Sequence, residues 1–217
     1  MSSKTNKIGL ILCSTRTPRS APQLASFILS LLPASPPPST STSTPSPSYT
    51  IQKIDLLDWP LPLHTTEPSL PTRLPASSLP ESYTQPTTRA WSAHIASFDG
   101  FIFLCPQYNW GYPASIKNAL DYIYHEWTGK PAMVVSYGGR GGGRGGAQLV
   151  QVLKGLRMKV VEEPRVEFAF QEGKDRDMQG KAEKGEGLGE FLLDEGFWVE
   201  QRVALGKAFG ELLALLE

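Results

Sequence analysis

Residues 100–123 read GFIFLCPQYNWGYPASIKNALDYI, and this stretch constrains the fold more than any other. Gly100–Cys105 is a short apolar run, the pattern of a strand buried on both faces. Pro106 breaks the run, and Pro113 suits the first position of a helix, where a missing N–H is not needed. Ile116, Ala119, Leu120 and Ile123 then recur at helical spacing. Gln107–Tyr112 is therefore expected as a loop at the carboxyl end of a buried strand, where open α/β sheets bind ligands. From this stretch alone, an ordinary connection with aromatic packing reads equally well.

The same order of strand, loop and helix occurs earlier. Lys7–Cys13 (KIGLILC) is an apolar strand, followed by Ser14-Thr15-Arg16-Thr17-Pro18-Arg19-Ser20 and then by Leu24, Phe27, Ile28, Leu31 and Leu32 at helical spacing. A helix N-terminus offers free N–H groups and partial positive charge, and arginines offer forked donors, so this loop suits a phosphate. A plain helix start with solvated arginines is the alternative.

Three further strands are expected at Tyr49–Leu56, Ala132–Tyr137 and Met158–Val161, with helices over Thr88–Phe98, after the glycine run 138–146, and at the C-terminus around Leu205, Phe209, Leu212 and Leu216. Fifteen of the nineteen prolines fall between Pro18 and Pro86. Within that region Pro33–Ser48 is a low-complexity tract, read as a surface insertion. The segment at about 169–190, charged and spaced with glycine, reads as a loop. The whole chain reads as one α/β domain. Its five parallel strands fit the flavodoxin-like order 2-1-3-4-5, a sheet between two helix layers.

In that order strands one, three and four are neighbours, so the Ser/Arg loop, the Gln-Tyr-Asn-Trp loop and the glycine run meet. They supply a phosphate cradle, aromatic and amide groups, and bare backbone that a flat ring can approach closely. Together they describe a site for a phosphorylated planar ligand, for which flavin mononucleotide (FMN) is the natural candidate.

Several blocks carry a family likeness: Cys13-Ser14-Thr15-Arg16 with Arg19, Pro106-Gln107-Tyr108-Asn109-Trp110-Gly111-Tyr112-Pro113, Lys117-Asn118-Ala119, Lys130-Pro131, and Ser136-Tyr137-Gly138-Gly139. The chain resembles the NADPH-dependent FMN reductase family, and within it the fungal NAD(P)H-dependent quinone reductases. The resemblance implies bound FMN, NADPH or NADH as co-substrate, a quinone or similar small electron acceptor, ping-pong turnover and a homodimer. It implies that Ser14, Arg16 and Arg19 hold the phosphate. Pro106, Gln107, Tyr108 and Asn109 would line the flavin, Trp110 and Tyr112 would wall the substrate space or pack in the dimer, and Ser136, Tyr137, Gly138 and Gly139 would pass beneath the ring edge. No side chain is expected to be catalytic, since the flavin carries the chemistry. The family commonly has glycine where this chain has Cys13.

Composition narrows the alternatives. Lys and Arg together number 21, as do Asp and Glu. This zero net charge tells against a nucleic-acid binder and against reading the Arg140–Arg144 glycine segment as an RNA-binding tail. No apolar run reaches the length of a membrane span. The short apolar start is better spent on a strand than on a signal peptide, and two cysteines suit a reducing, cytoplasmic setting. His64, His94 and His125 lack metal-ligand spacing, so no metal is expected. Gly141-x-Gly143-x-x-Gly146 matches a dinucleotide fingerprint, but too little sheet-forming sequence follows to build that unit. An FMN electron carrier without a small substrate remains the alternative function.

Overall fold

The computed structural model describes residues 5–33, 48–63, 67–170 and 177–216. Its strands are β1 (Asn6–Leu12), β2 (Tyr49–Asp55), β3 (Gly100–Pro106), β4 (Pro131–Gly138) and β5 (Lys159–Ala169). They form one parallel sheet in the order β2-β1-β3-β4-β5, the expected flavodoxin-like arrangement. The helices are α1 (Ala21–Leu31), α2 (Pro86–Ala96), α3 (Ala114–Asp121), α4 (Gly143–Gly155), α5 (Asp177–Lys184), α6 (Gly189–Leu192) and α7 (Val199–Ala214).

The inner strands β1, β3 and β4 are apolar at nearly every position because both faces are covered, whereas β2 and β5 at the sheet edges carry polar residues. Side chains alternate across the sheet. Leu10 and Leu12 pack with Leu24 and Phe27 of α1 and with Leu205 and Phe209 of α7. Ile11, Cys13, Phe101 and Phe103 pack on the other face with Trp91 of α2, Ile116 of α3 and Leu149 of α4. Burial of a side chain such as Phe101 or Phe103 stabilises the fold by about 1.5–3 kcal/mol. The sheet order puts the switch point between β1 and β3, and the loops after β1, β3 and β4 emerge on the same edge.

Two expectations need correction. The last strand is not confined to Met158–Val161 but runs from Lys159 to Ala169. Its pairing with β4 shifts register between Met133 and Val135, so Glu162–Arg165 leave the ladder before Val166 rejoins it. That polar excursion hid the second half of the strand, in which Phe168 is fully buried. The segment at about 169–190 is likewise not all loop. Asp177–Lys184 is helical, with Met178 and Ala182 buried one turn apart, and α6 follows. Most of the Pro33–Ser48 tract lies outside the described residues.

The glycine run is packing machinery. Gly142 has φ +74°, and a Cβ there would lie 2.5 Å from the Tyr137 carbonyl oxygen. At Gly143 a Cβ would meet the Glu167 carboxylate, and at Gly145 it would lie 2.9 Å from the Gly111 carbonyl oxygen. Bare backbone therefore lets the start of α4 press against β5 and the loop after β3. Neither a dinucleotide fingerprint nor a tail is needed to explain it, and no strand follows β5 among the described residues.

Gly142→Ala is expected to destabilise the protein by about 2 kcal/mol or more, because it combines a positive φ with a backbone clash. Gly155→Ala, whose Cβ would meet nothing within 4 Å, is the control and should leave the urea midpoint unchanged or raised. Equal midpoints for the two variants would contradict the packing account.

Candidate functional site

The loop after β1 is held from three sides. The Cys13 N–H donates to the Leu104 carbonyl, and the Cys13 carbonyl accepts from the Ser115 hydroxyl at 2.7 Å, tying the loop to β3 and α3. The Ser14 hydroxyl lies 2.6 Å from the Tyr108 hydroxyl. Arg19 donates to the Ser14 carbonyl at 2.7 Å and grips Asp55 at the end of β2 with two bonds of 2.7 and 2.6 Å. Burial alone would raise the Asp55 carboxyl, but Arg19 and the Leu57 N–H outweigh it and hold it below its ordinary value. The same bond to Asp55 raises the Arg19 guanidinium.

Arg16 is different. Among the described residues its side chain has no partner, and it stands at the edge of a cavity of about 220 Å³. Ser20 begins α1 without giving its side chain to the helix as a cap. A free guanidinium, hydroxyls from Ser14 and Ser20, and a helix start are a donor set whose chemistry suits an oxyanion.

The loop after β3 supplies the opposite wall. The Gln107 side chain accepts from the Gly145 N–H at 3.1 Å, fastening this loop to the first turn of α4. Tyr108 and Gly111 exchange backbone hydrogen bonds of 2.8 and 3.0 Å, which forces Asn109 and Trp110 to φ of 48° and 71°. The cavity is lined by Ser14, Arg16, Arg19, Pro106, Gln107, Tyr108, Tyr137, Gly138 and Gly139, nine residues expected from sequence. Burial, followed by neighbouring Tyr108 and the two cysteines, raises the Tyr137 phenol well above its ordinary value, so it stays a neutral donor.

Three expected residues lie off the cavity wall. Asn109 and Trp110 form the turned tip of the β3 loop, where Trp110 is 62% exposed and the Arg144 guanidinium sits 3.4 Å from its ring centre. Ser136 is buried beneath α4, and its hydroxyl donates to the Gly141 carbonyl at 2.8 Å. The wall also contains Ser20, Phe170, Gln179, Ala182 and Glu183, which sequence reading did not assign to the site. The available signal was the Met178–Ala182 apolar pair, which marks α5 as a helix that packs.

Cys13 and Cys105 are fully buried and unbridged. Burial, reinforced by Cys105, pushes the Cys13 thiol well up, so it stays protonated and acts as a small core residue. No group of three potential metal ligands occurs among the described residues.

A profile of the family described as NADPH-dependent FMN reductase matches residues 6–173. The chain belongs to this family. An NAD(P)H-dependent FMN reductase of Schizosaccharomyces pombe is 38% identical over 98% of this chain and 92% of that relative. An NAD(P)H-dependent FMN reductase of Saccharomyces cerevisiae is 40% identical over 71% of this chain and 77% of its own length. A solved oxidoreductase from Corynebacterium diphtheriae superposes with a TM-score of 0.63 at 16% identity, covering 99% of this chain and 98% of that one. That likeness establishes the fold. Family membership makes the chain an oxidoreductase that works with FMN and a reduced nicotinamide.

Asp55→Asn is expected to lower stability near neutral pH by roughly 1.5–3 kcal/mol, the range for a hydrogen bond to a charged group. The carboxyl is depressed in the folded state, so its contribution is full above the ordinary carboxylate value and fades as pH falls through the folded one. Urea midpoints of parent and variant should therefore converge on acidification. A gap that stays constant would contradict the Arg19–Asp55 assignment.

Proposed function

We propose that the cavity between the loops after β1, β3 and β4 holds FMN, with its phosphate at Arg16, Ser14 and the start of α1. We propose further that the electrons pass to a quinone or similar small acceptor. The observation that carries this reading is the uncommitted Arg16 guanidinium at a helix start, beside a wall of Pro106, Tyr108, Tyr137 and bare Gly138–Gly139 backbone. The donor set suits a phosphomonoester, and the opposite wall suits a flat ring. The chemistry supplied by bound FMN is two-electron transfer, a hydride in from reduced nicotinamide and electrons out to the acceptor.

The protein's own residues bind and orient. Arg16 meets the phosphate charge, while Arg19 serves indirectly, since Asp55 and the Ser14 carbonyl already occupy it and set the shape of the loop. The Tyr108 hydroxyl shares the Ser14 hydroxyl, so it either yields that bond to the phosphate or extends the donor row. Nicotinamide and acceptor take turns at one mouth beside Tyr108 and Trp110, which gives ping-pong kinetics. The acceptor assignment draws on relatives, among them an NADPH:quinone oxidoreductase of Arabidopsis thaliana that is 32% identical over 62% of this chain.

The chain works as one domain in this proposal, and as a homodimer whose partner covers exposed Trp110, since a large apolar ring invites desolvation. A cytoplasmic setting suits the two reduced cysteines. No helix among the described residues is long and apolar enough to cross a membrane.

Arg16→Ala should weaken FMN binding by about 10–100-fold, the loss of a charge-assisted contact, while leaving the far-ultraviolet circular dichroism unchanged. FMN affinity equal to the parent's would place the phosphate elsewhere. Initial rates at several acceptor concentrations should give parallel double-reciprocal lines, and intersecting lines would contradict the alternating order.

A further inference from the structure

The cavity has a wall that the three loops do not supply. Gln179, Ala182 and Glu183 of α5 line it together with Ser14, Arg16, Arg19 and Ser20. This helix lies beyond residue 173, where the family match ends. It is seated from below by Met178 and Ala182, which are buried in the core alongside Phe170.

The end of α5 is latched to the phosphate loop. Gly185 has φ +69°, and a Cβ there would lie 2.8 Å from Pro18 Cβ, so backbone and loop are in contact. The Gln23 side chain, on α1, then brackets the following residues. Its amide N–H donates to the Glu186 carbonyl at 2.8 Å, and its oxygen accepts from the Leu188 N–H at 2.7 Å. Leu188 is wholly buried. The helix is thus pinned across the outer side of the loop that would hold the phosphate.

Glu183 is the one acidic residue among the described residues lining this cavity. Its carboxylate accepts from the Gln179 side chain at 2.8 Å. Arg16 and the Glu183 carboxylate therefore line one cavity, while the helix's lysines, Lys181 and Lys184, pair with Glu190 and Glu186. A mononucleotide ends at the phosphate and needs only the Arg16 side. A dinucleotide continues through a pyrophosphate to adenosine, and a second phosphate in this cavity would meet the Glu183 carboxylate that lines it. Specificity against a competitor is commonly built from such a repulsive element, and like charges brought together on binding carry a large part of it.

We propose that α5 is a specificity element that admits FMN and rejects FAD, with Glu183 as the repelling charge and Gln23 as the latch that keeps the helix in place. The proposal rests on the reading of this cavity as the FMN site. It assigns roles to Glu183, Gln23 and Gly185 that the flavin chemistry itself does not require.

The test is a fluorescence titration of the full-length, flavin-stripped protein with FMN and with FAD, which reads affinity without activity. The parent should bind FMN at least about 100-fold tighter than FAD. In the double variant Q23A/E183Q that ratio should fall by about tenfold or more, through tighter FAD binding. E183Q alone, at an exposed position, keeps the fold intact and should lower the ratio part of the way. A parent that takes FAD as readily as FMN, or a ratio unchanged in both variants while FMN still binds, overturns the proposal alone. A parent that binds neither flavin overturns the FMN reading and this proposal with it.

Discussion

The grip of Arg19 on Asp55 and on the Ser14 carbonyl is the contact from which the site is built. It joins the end of β2 to the loop after β1 across two strands, with side chains only 12% and 19% exposed. Water competes weakly there, so the two parallel bonds hold one geometry. With the loop fixed on that side, the Ser115 hydroxyl fixes it on the other, and Arg16 is left free at the rim. The division of labour between two nearby arginines follows: one is spent on architecture, the other is available to a ligand.

The second constraint is the close approach of α4 to the sheet. Glycines at 142, 143 and 145 allow the first turn of that helix to touch Tyr137, Glu167 and Gly111. Because the helix start is near, Gln107 can accept from the Gly145 N–H, and the loop after β3 is held open toward the cavity. A sheet edge, a helix start and a loop are thereby locked in one arrangement, and Tyr108 is delivered opposite Ser14.

Much of this was legible in the sequence. The apolar runs at Lys7–Cys13, Gly100–Cys105 and Pro131–Tyr137 carry the pattern of strands buried on both faces, and the strand order brought their loops together. What stayed hidden was physical contact across sequence distance. The Asp55 partner of Arg19 lies 36 residues away, so Arg19 looked as free as Arg16. Ser136 faces α4 rather than the cavity because side chains alternate along β4, and a single residue of phase decides it. Asn109 and Trp110 turn away because the Tyr108–Gly111 pairing imposes left-handed backbone between them. Helix α5 carries only two buried apolar residues, Met178 and Ala182, among charges, too faint a stripe to announce a wall of the site. Glu162–Arg165, leaving the ladder, disguised a long strand as a short one.

The visible absorbance spectrum of the purified protein, saturated with FMN and recorded before and after NADPH or NADH is added under nitrogen, tests the central claim most directly. Two flavin bands should stay with the protein through gel filtration and bleach on addition of either or both nicotinamides, then return when a quinone is added. Bands that never associate with the protein, or that persist with both nicotinamides, would contradict it.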